Sequence, residues 1–334
     1  MKDIVIQGKK VNYGRKPFII AEAGVNHNGS LDLALKLVDA AAFAGADAVK
    51  FQTFRAEQVV TTGSQLAMLR KLELKEKYYP ALIQRAKERG IVFLSTPHGG
   101  FESVDFLQKM KVPAFKFGSG DLTNLPFLEY AAKFKKPMLI STGMSNLEEI
   151  KEAVQAIKKA GNSQILVFQC TTDYPLAPEN VNLRAMQTLM KELGALVGYS
   201  DHTIGPQAVV MATALGACML EKHFTLDRTL PGPDQVASME PLDLKEMVRQ
   251  VEKAMVILGS PKKRLLDCEK QYVKVARKSL VSARAIRKGE KFTVKNLTVK
   301  RPGTGILPKR WKEVLGKRSK AKLKKDSLIT EEMF

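Results

Sequence analysis

Eight short apolar runs alternate with helix-length stretches between residues 18 and 225. The runs are FIIAEAG (18–24), AVKFQTF (48–54), IVFLSTP (91–97), AFKFGSG (114–120), PMLISTG (137–143), ILVFQC (165–170), LVGYSD (196–201) and MLEKHFT (219–225). The intervening stretches, such as LDLALKLVDAAAFAG (31–45) and NLEEIKEAVQAIKKAG (146–161), place apolar residues at helical spacing. Ser145 and Asn146 read as a helix start, and Gly45 and Gly161 as stops. Strand, helix, strand, repeated eight times, predicts an α/β fold of the closed parallel (β/α)8 TIM-barrel type. A doubly wound open sheet is the alternative, but no G-x-G-x-x-G follows the first run.

The barrel pattern spans residues 1–258, with a last helix expected over 243–258. Residues 259–277 read as a polar linker. From Lys278 the apolar period changes to two, and glycine turns separate short strands, so residues 278–334 read as a small β-rich domain. A domain of that size is marginal alone and is expected to dock on something. The whole chain of 334 residues has a net charge of +20. Residues 260–334 hold 23 Lys and Arg against 7 Asp and Glu, while residues 1–259 are nearly balanced. The basic tail has few aromatics for base stacking, so a solvated lysine-rich surface is favoured over nucleic-acid binding. No apolar stretch is long enough to span a membrane and the N-terminal residues lack the pattern of a secretory leader, so no transmembrane helix and no membrane partner are expected. Cys170, Cys218 and Cys268 form no C-x-x-C, which suits a reducing cytoplasm.

Two histidines carry most of the chemical information. His202 in VGYSDHTIG and His223 in MLEKHFTLD each follow an apolar run, so neighbouring parallel strands would bring both imidazoles to one mouth. Two neutral imidazoles make half of a divalent-metal site. Glu22, Lys50, Lys116 and Lys222 break otherwise apolar runs, a costly placement unless paired. Lys50 and Lys116, with Thr96, Ser119, Ser141 and Ser200 at the ends of their runs, suit a phosphate or carboxylate. Lys222 reads as a partner for a core carboxylate. Asp201 is a candidate to orient His202 or the waters of a metal. His27 reads as a turn residue and His98 as a rim residue. Metal, anion cradle and Glu22 together imply carbonyl chemistry on a small phosphorylated or carboxylated substrate.

The segments IAEAGVNHNGSLDLA, GADAVKFQTF, FKFGSGD, ISTGM, QCTTDYP, GYSDHTIG, EKHFTLD and PGPD resemble the sialic acid synthase family, the N-acetylneuraminate synthases with their legionaminate and pseudaminate relatives. KSLVSARAIRKGE and LTVKRPGTGI resemble that family's antifreeze-like SAF domain. The resemblance implies a cytoplasmic enzyme that condenses phosphoenolpyruvate with an N-acylated hexosamine, N-acetylmannosamine being the expected acceptor, to a nonulosonic acid and phosphate. It implies that His202 and His223 hold Mn2+, with Mg2+ or Co2+ as alternatives, and that Glu22 moves a proton. It places Lys50, Thr96, Lys116, Ser119, Ser141, Thr172 and Ser200 on phosphoenolpyruvate, and Gln52, Tyr174 and Asp234 on the sugar. Arg301 would come from the small domain of a partner in a domain-swapped homodimer. Thr172 stands where many relatives carry asparagine, and the segment between Phe54 and Tyr78 is shorter than in many of them. The competing readings are a synthase with a legionaminate or pseudaminate acceptor, another phosphoenolpyruvate-condensing 2-keto-3-deoxy acid synthase, and a basic polyanion-binding protein.

Overall fold

All eight apolar runs are strands of one parallel sheet. In this computed structural model, which describes residues 2–334, a hairpin of β1 (Ile4–Ile6) and β2 (Lys9–Val11) precedes β3 (Phe18–Gly24), β4 (Ala48–Thr53), β5 (Val92–Pro97), β6 (Phe115–Phe117), β7 (Met138–Ser141), β8 (Ile165–Gln169), β9 (Leu196–Asp201) and β10 (Met219–His223). The strand order is β5-β4-β3-β10-β9-β8-β7-β6, every pairing is parallel, and the edges β5 and β6 lie side by side, so the barrel is nearly closed. The helices of this unit are α1 (Leu31–Ala44), α2 (Ala56–Val59), α3 (Ser64–Leu72), α4 (Tyr79–Glu88), α5 (Phe101–Lys109), α6 (Leu125–Ala132), α7 (Leu147–Lys159), α8 (Ala185–Glu192), α9 (Gln207–Ala214) and α10 (Pro241–Leu258). Gly45 ends α1 in the left-handed region at φ 83°, and Asn146 opens α7 with a reciprocal capping box to Glu149, as the sequence predicts. The N-terminal hairpin has no counterpart in the sequence reading. Its Ile4, Ile6 and Val11 join the barrel's interior cluster at the end opposite the mouth.

Strand period decides what each side chain does. Phe18, Ile20, Ala48, Val92, Leu94, Ala114, Leu139, Leu166, Phe168, Leu196 and Met219 fill the barrel interior. Residues of the other parity, such as Ile19, Val49, Phe93, Phe115, Ile140, Val167 and Leu220, pack outward under the helices. Two positions beyond the interior layer, the same face turns polar: Ile20 is followed by Glu22, Ala48 by Lys50, Leu94 by Thr96, Ala114 by Lys116, Leu139 by Ser141, and Met219 by Glu221 and His223. The polar layer therefore sits at the C-terminal end of the strands, directly on an apolar plug.

The opposite parity at β9 and β10 carries a buried ion pair. Lys222 Nζ lies 2.6 Å from Asp201 Oδ2, with both side chains essentially inaccessible. Asp201 also accepts from Tyr199 Oη (2.8 Å), Thr203 N (3.1 Å) and Thr203 Oγ1 (3.0 Å), and Lys222 donates to the Thr203 carbonyl. Asp201 thus ties the turn around His202 to the strand that carries His223, rather than orienting the His202 ring itself. Lys222→Met leaves this carboxylate buried without its counter-ion and is expected to cost about 3–5 kcal/mol. Lys222→Met/Asp201→Asn should recover most of that loss. Guanidinium denaturation at pH 7 measures both; a loss below about 0.5 kcal/mol in the single variant would contradict the pairing.

The chain divides into two compact units, Met1–Gly259 and Ser260–Phe334. In the second, β11 (Ser279–Ser282) pairs antiparallel with β12 (Leu297–Lys300), and α12 (Trp311–Val314) follows. Its own core comprises Leu280, Ile286, Phe292, Leu297, Ile306, Val314, Leu323 and Ile329. The stretch read as a linker lies largely within this unit and contains α11 (Lys270–Ala276). The Gly303 amide donates to the Lys274 carbonyl at 2.7 Å, and a Cβ on Gly303 would stand 2.6 Å from that of Arg277. The turn carrying Arg301 is therefore braced by α11.

Candidate active site

The polar layer of the first unit lines a cavity of about 320 Å³. Glu22, Lys50, Gln52, Thr96, Lys116, Ser119, Ser141, Thr172, Tyr174, Ser200, His202, His223 and Asp234 all line it, which brings together every site residue named from the sequence except Arg301. Arg301 belongs to the second unit and is exposed.

Two buried lysines organise this mouth. Lys50 Nζ lies 2.8 Å from Glu22 Oε2 and donates to Thr96 Oγ1 at 3.0 Å. Lys116 Nζ donates to Glu221 Oε1 at 3.0 Å and to Ser141 Oγ at 2.9 Å. Glu221 also accepts from Ser200 Oγ at 3.2 Å, and its second oxygen lies 3.8 Å from Lys50, so one carboxylate spans both cations. An ammonium has three donors, which leaves each lysine one for a ligand. The sequence reading missed Glu221. It stands two positions before His223 in the same strand, on the same face; Lys222, noted instead, points the other way.

Electrostatics separates the two carboxylates. Burial raises Glu22 to about 7, aided by Glu221 and opposed by Lys50. Burial acts on Glu221 in the same sense, but Lys116 and Lys50 overcome it and hold the group at about 2. Glu221 is thus a permanent anion, while Glu22 exchanges a proton near neutrality. Burial lowers Lys116, and Lys50 adds to this; Lys50 is raised because Glu22 and Glu221 outweigh its burial.

The imidazoles face each other with ring centroids 5.4 Å apart, and the Tyr174 ring packs against both at 4.0 and 5.5 Å. His202 Nδ1 lies 2.6 Å from the Thr171 carbonyl, which can only accept, so Nδ1 carries the proton. Burial keeps both rings below their ordinary pKa, so each is neutral at pH 7 and His202 presents the Nε2 lone pair. His223 Nδ1 is buried without a hydrogen bond, 3.6 Å from Asp234 Oδ2. A neutral imidazole pair, one with a fixed tautomer and one with an orphaned nitrogen, fits a divalent ion. Among the described residues no group of three or more His, Cys, Asp or Glu forms a self-sufficient metal cluster. An ion held by the pair would thus keep positions for water and substrate.

Two glycines mark where ligand atoms can approach. A Cβ on Gly24 (φ +52°) would lie 3.3 Å from Asp234 Oδ2, 3.4 Å from Glu22 Oε1 and 3.6 Å from Gln52 Nε2, so three polar side chains converge over bare backbone. A Cβ on Gly143 would overlap Thr172 Oγ1 and stand 2.8 Å from Ser119 Oγ. Thr172 and Ser119 therefore share one cradle, in which the Gly143 amide donates to Ser119 Oγ at 3.0 Å. Cys170, His98 and Met144 also line the mouth, as do Val25, Leu69 and Leu72 from loop and helix positions that no strand pattern flags. His98 Nδ1 lies 3.5 Å from Asp121 Oδ2 at the rim, and His27 accepts from the Gly29 amide in its turn.

A parallel barrel with its titratable groups gathered at the strands' C-terminal ends defines a barrel enzyme. The chain belongs to the NeuB family: that family's model matches residues 37–263, and the SAF domain matches 277–334. It is 46% identical over 334 residues to N,N'-diacetyllegionaminic acid synthase of Campylobacter jejuni, covering 95% of this chain and 100% of that protein. The corresponding Legionella pneumophila synthase is 42% identical over 338 residues, with 93% and 94% covered. The crystal structure of N-acetylneuraminic acid (sialic acid) synthetase from Leptospira borgpetersenii, in complex with citrate, superposes with a TM-score of 0.78 at 34% identity, covering 81% of this chain and 95% of that one. The chain is therefore an enzyme of the sialic, legionaminic and pseudaminic acid synthase family. No helix among the described residues is long and apolar enough to cross a membrane.

Glu22 gives this site a pH signature. Its folded pKa of about 7 lies above the ordinary 4.5, so the folded state holds a proton that the unfolded state releases first. Stability is lost as pH rises from 4.5 through 7. Glu22→Gln removes this dependence, so its stability relative to the parent should climb by about 2–3 kcal/mol between pH 5 and 8. Denaturation midpoints across that range measure it; parallel curves would place Glu22 at an ordinary pKa.

Proposed function

We propose that the enzyme condenses phosphoenolpyruvate with the open-chain aldehyde of an N-acylated hexosamine, giving a 2-keto-3-deoxy nonulosonic acid and phosphate. The observation that carries this reading is the pair of buried lysines, each fixed by a carboxylate and a hydroxyl, beside two neutral imidazoles. A small polyanion with a phosphate and a carboxylate suits two ammonium groups a short span apart. Ser119, Thr172 and Ser200 supply directional donors beside them. Gln52, Asp234 and Tyr174 are left for the acceptor.

In the proposed reaction, C3 of the enol attacks the aldehyde carbon and water adds at C2. The resulting tetrahedral carbon expels phosphate by C–O cleavage. Glu22, near neutrality in pKa and beside the convergence over Gly24, takes and returns the proton of the attacking water or the new hydroxyl. Lys50 and Lys116 hold the phosphate and carboxylate in place throughout. His202 and His223 would hold a divalent ion, Mn2+ first and Mg2+ or Co2+ as alternatives, which when bound polarises the aldehyde oxygen.

We also propose that Arg301 enters the mouth of a partner copy in a domain-swapped homodimer. Arg301 has no acidic partner among the described residues, and α11 fixes its turn. Its guanidinium would meet an acyl or hydroxyl oxygen of the sugar. The enzyme is proposed to be cytoplasmic, since a reduced compartment matches its unpaired Cys170, Cys218 and Cys268.

Phosphate release from phosphoenolpyruvate across a panel of N-acylated hexosamines tests the reaction. Acceptor-dependent release is expected, and His202→Ala or His223→Ala should lose it together with bound metal while remaining folded. Release without an acceptor, or full activity in either variant, would contradict the assignment. Mixed dimers of Arg301→Ala and His202→Ala subunits should regain activity, because one site per dimer receives both an intact histidine pair and an intact arginine. No recovery in verified heterodimers would contradict the swap.

A further inference from the structure

A second groove, of about 640 Å³, is walled by α7, α8 and the loops that follow β7 and β8. Among the described residues only Met144 and Cys170 line both this groove and the mouth. Gln169, the last residue of β8, lies in its wall. It has the parity of Ile165 and Val167, which pack outward under the helices, so its side chain leaves the barrel interior and faces the groove. Gln169 is only 8% exposed, yet among the described residues its carboxamide has no hydrogen-bond partner. A buried carboxamide left unpaired is costly, and a ligand that pairs with it removes that cost.

The groove holds one cation and no acid. Arg184 lines it, is exposed, and forms no ion pair among the described residues. No Asp or Glu among the described residues lines it. Asn146, Asn180 and Asn182 stand in the wall with Gln169, and Thr188 adds a hydroxyl. Asn146 spends its side-chain oxygen on the Glu149 amide and keeps both N–H donors. The side chains of Asn180, Asn182 and Thr188 make no hydrogen bond among the described residues. Leu147, Ile150 and Leu189 give the groove an apolar side.

That lining has a definite complement. A guanidinium with no counter-ion suits a ligand of one negative charge, and its planar fork fits a carboxylate. A carboxamide both donates and accepts, as a hydroxyl does, so several of them match a polyhydroxylated ligand better than a phosphate, whose oxygens mainly accept. A ligand ammonium would find no anionic partner here. We propose that the groove is a binding site, distinct from the mouth, for a sugar acid with one carboxylate: Arg184 takes the carboxylate and Gln169 takes a hydroxyl. The product of the condensation proposed above is one such acid, and only the choice of probe rests on that reading.

Calorimetric titration of the full-length enzyme with N-acetylneuraminic acid tests the site. Arg184→Ala should weaken binding by about 10–100-fold, the scale of hydrogen bonds to a charged group. Gln169→Leu should weaken it by about 3–10-fold, the scale of neutral ones. If Gln169→Leu does not fold, Arg184→Glu takes its place and should abolish binding. Lys116→Met, which alters only the mouth, should leave this binding within about twofold, and the methyl ester of the acid should bind as weakly to the parent as the free acid binds to Arg184→Ala. No binding to the parent overturns the proposal, as does binding that survives in Arg184→Ala but is lost in Lys116→Met, which would put the acid in the mouth. Equal displacement of the acid by inorganic phosphate at the same concentration would reduce the groove to a general anion site and also overturns it. None of these results decides the condensation, which phosphate release from phosphoenolpyruvate tests separately.

Discussion

Two ammonium groups buried inside a barrel are the constraint on which the rest of this structure depends. Lys50 and Lys116 are each about 2% exposed. Charges so placed demand counter-ions within contact. Glu22 and Glu221 meet that demand from β3 and β10, on either side of the strand boundary where the chain begins and completes the barrel. The lattice closes through Thr96, Ser141 and Ser200: β3, β5 and β7 each give one polar side chain to the two cations, β10 adds Glu221, and Ser200 on β9 donates to that carboxylate. The apolar layer below excludes water from one side, which makes each of these contacts stronger than it would be at a surface.

That arrangement also assigns the chemistry. Glu221 is committed to two lysines and stays ionised; Glu22 has one close lysine and burial enough to titrate near neutrality. The same separation of environments distinguishes the two histidines from an ordinary buried pair. Their strands are fixed from behind by Lys222 and Asp201, whose side chains share the outer parity and never enter the mouth. The ion pair outside the barrel wall and the imidazole pair inside it are two faces of the same two strands.

The barrel and most of its site were legible in the sequence because period two leaves a trace. An apolar run whose alternate residues turn polar at its C-terminal end reads as a strand delivering a side chain to the mouth. Lys50, Thr96, Lys116, Ser141 and Ser200 stood out as polar residues at or near the C-terminal ends of such runs. Glu221 was within reach by the same rule, since it shares parity with His223, but the adjacent Lys222 drew attention as the charge in the run. Asp201 was misjudged for the same reason: its parity with Tyr199 points it outward. What had no trace is contributed by other geometry. Val25, Leu69 and Leu72 converge from a loop and a short helix, and apolar residues there look like any packing residue. The hairpin at 4–11 is too short for a period to register. The helix at Lys270–Ala276 lies in a stretch too charged to show an apolar face.

The claim that Glu221 serves both lysines as one organised unit can be tested by a double-mutant cycle. Phosphoenolpyruvate affinity is measured by calorimetry for the parent, Lys116→Met, Glu221→Gln and the combined variant. If the carboxylate acts by holding Lys116 in place, the combined variant binds no worse than Lys116→Met, and the coupling energy reaches about 1–3 kcal/mol. Losses that simply add, to within about 0.5 kcal/mol, would show two independent groups and contradict the account.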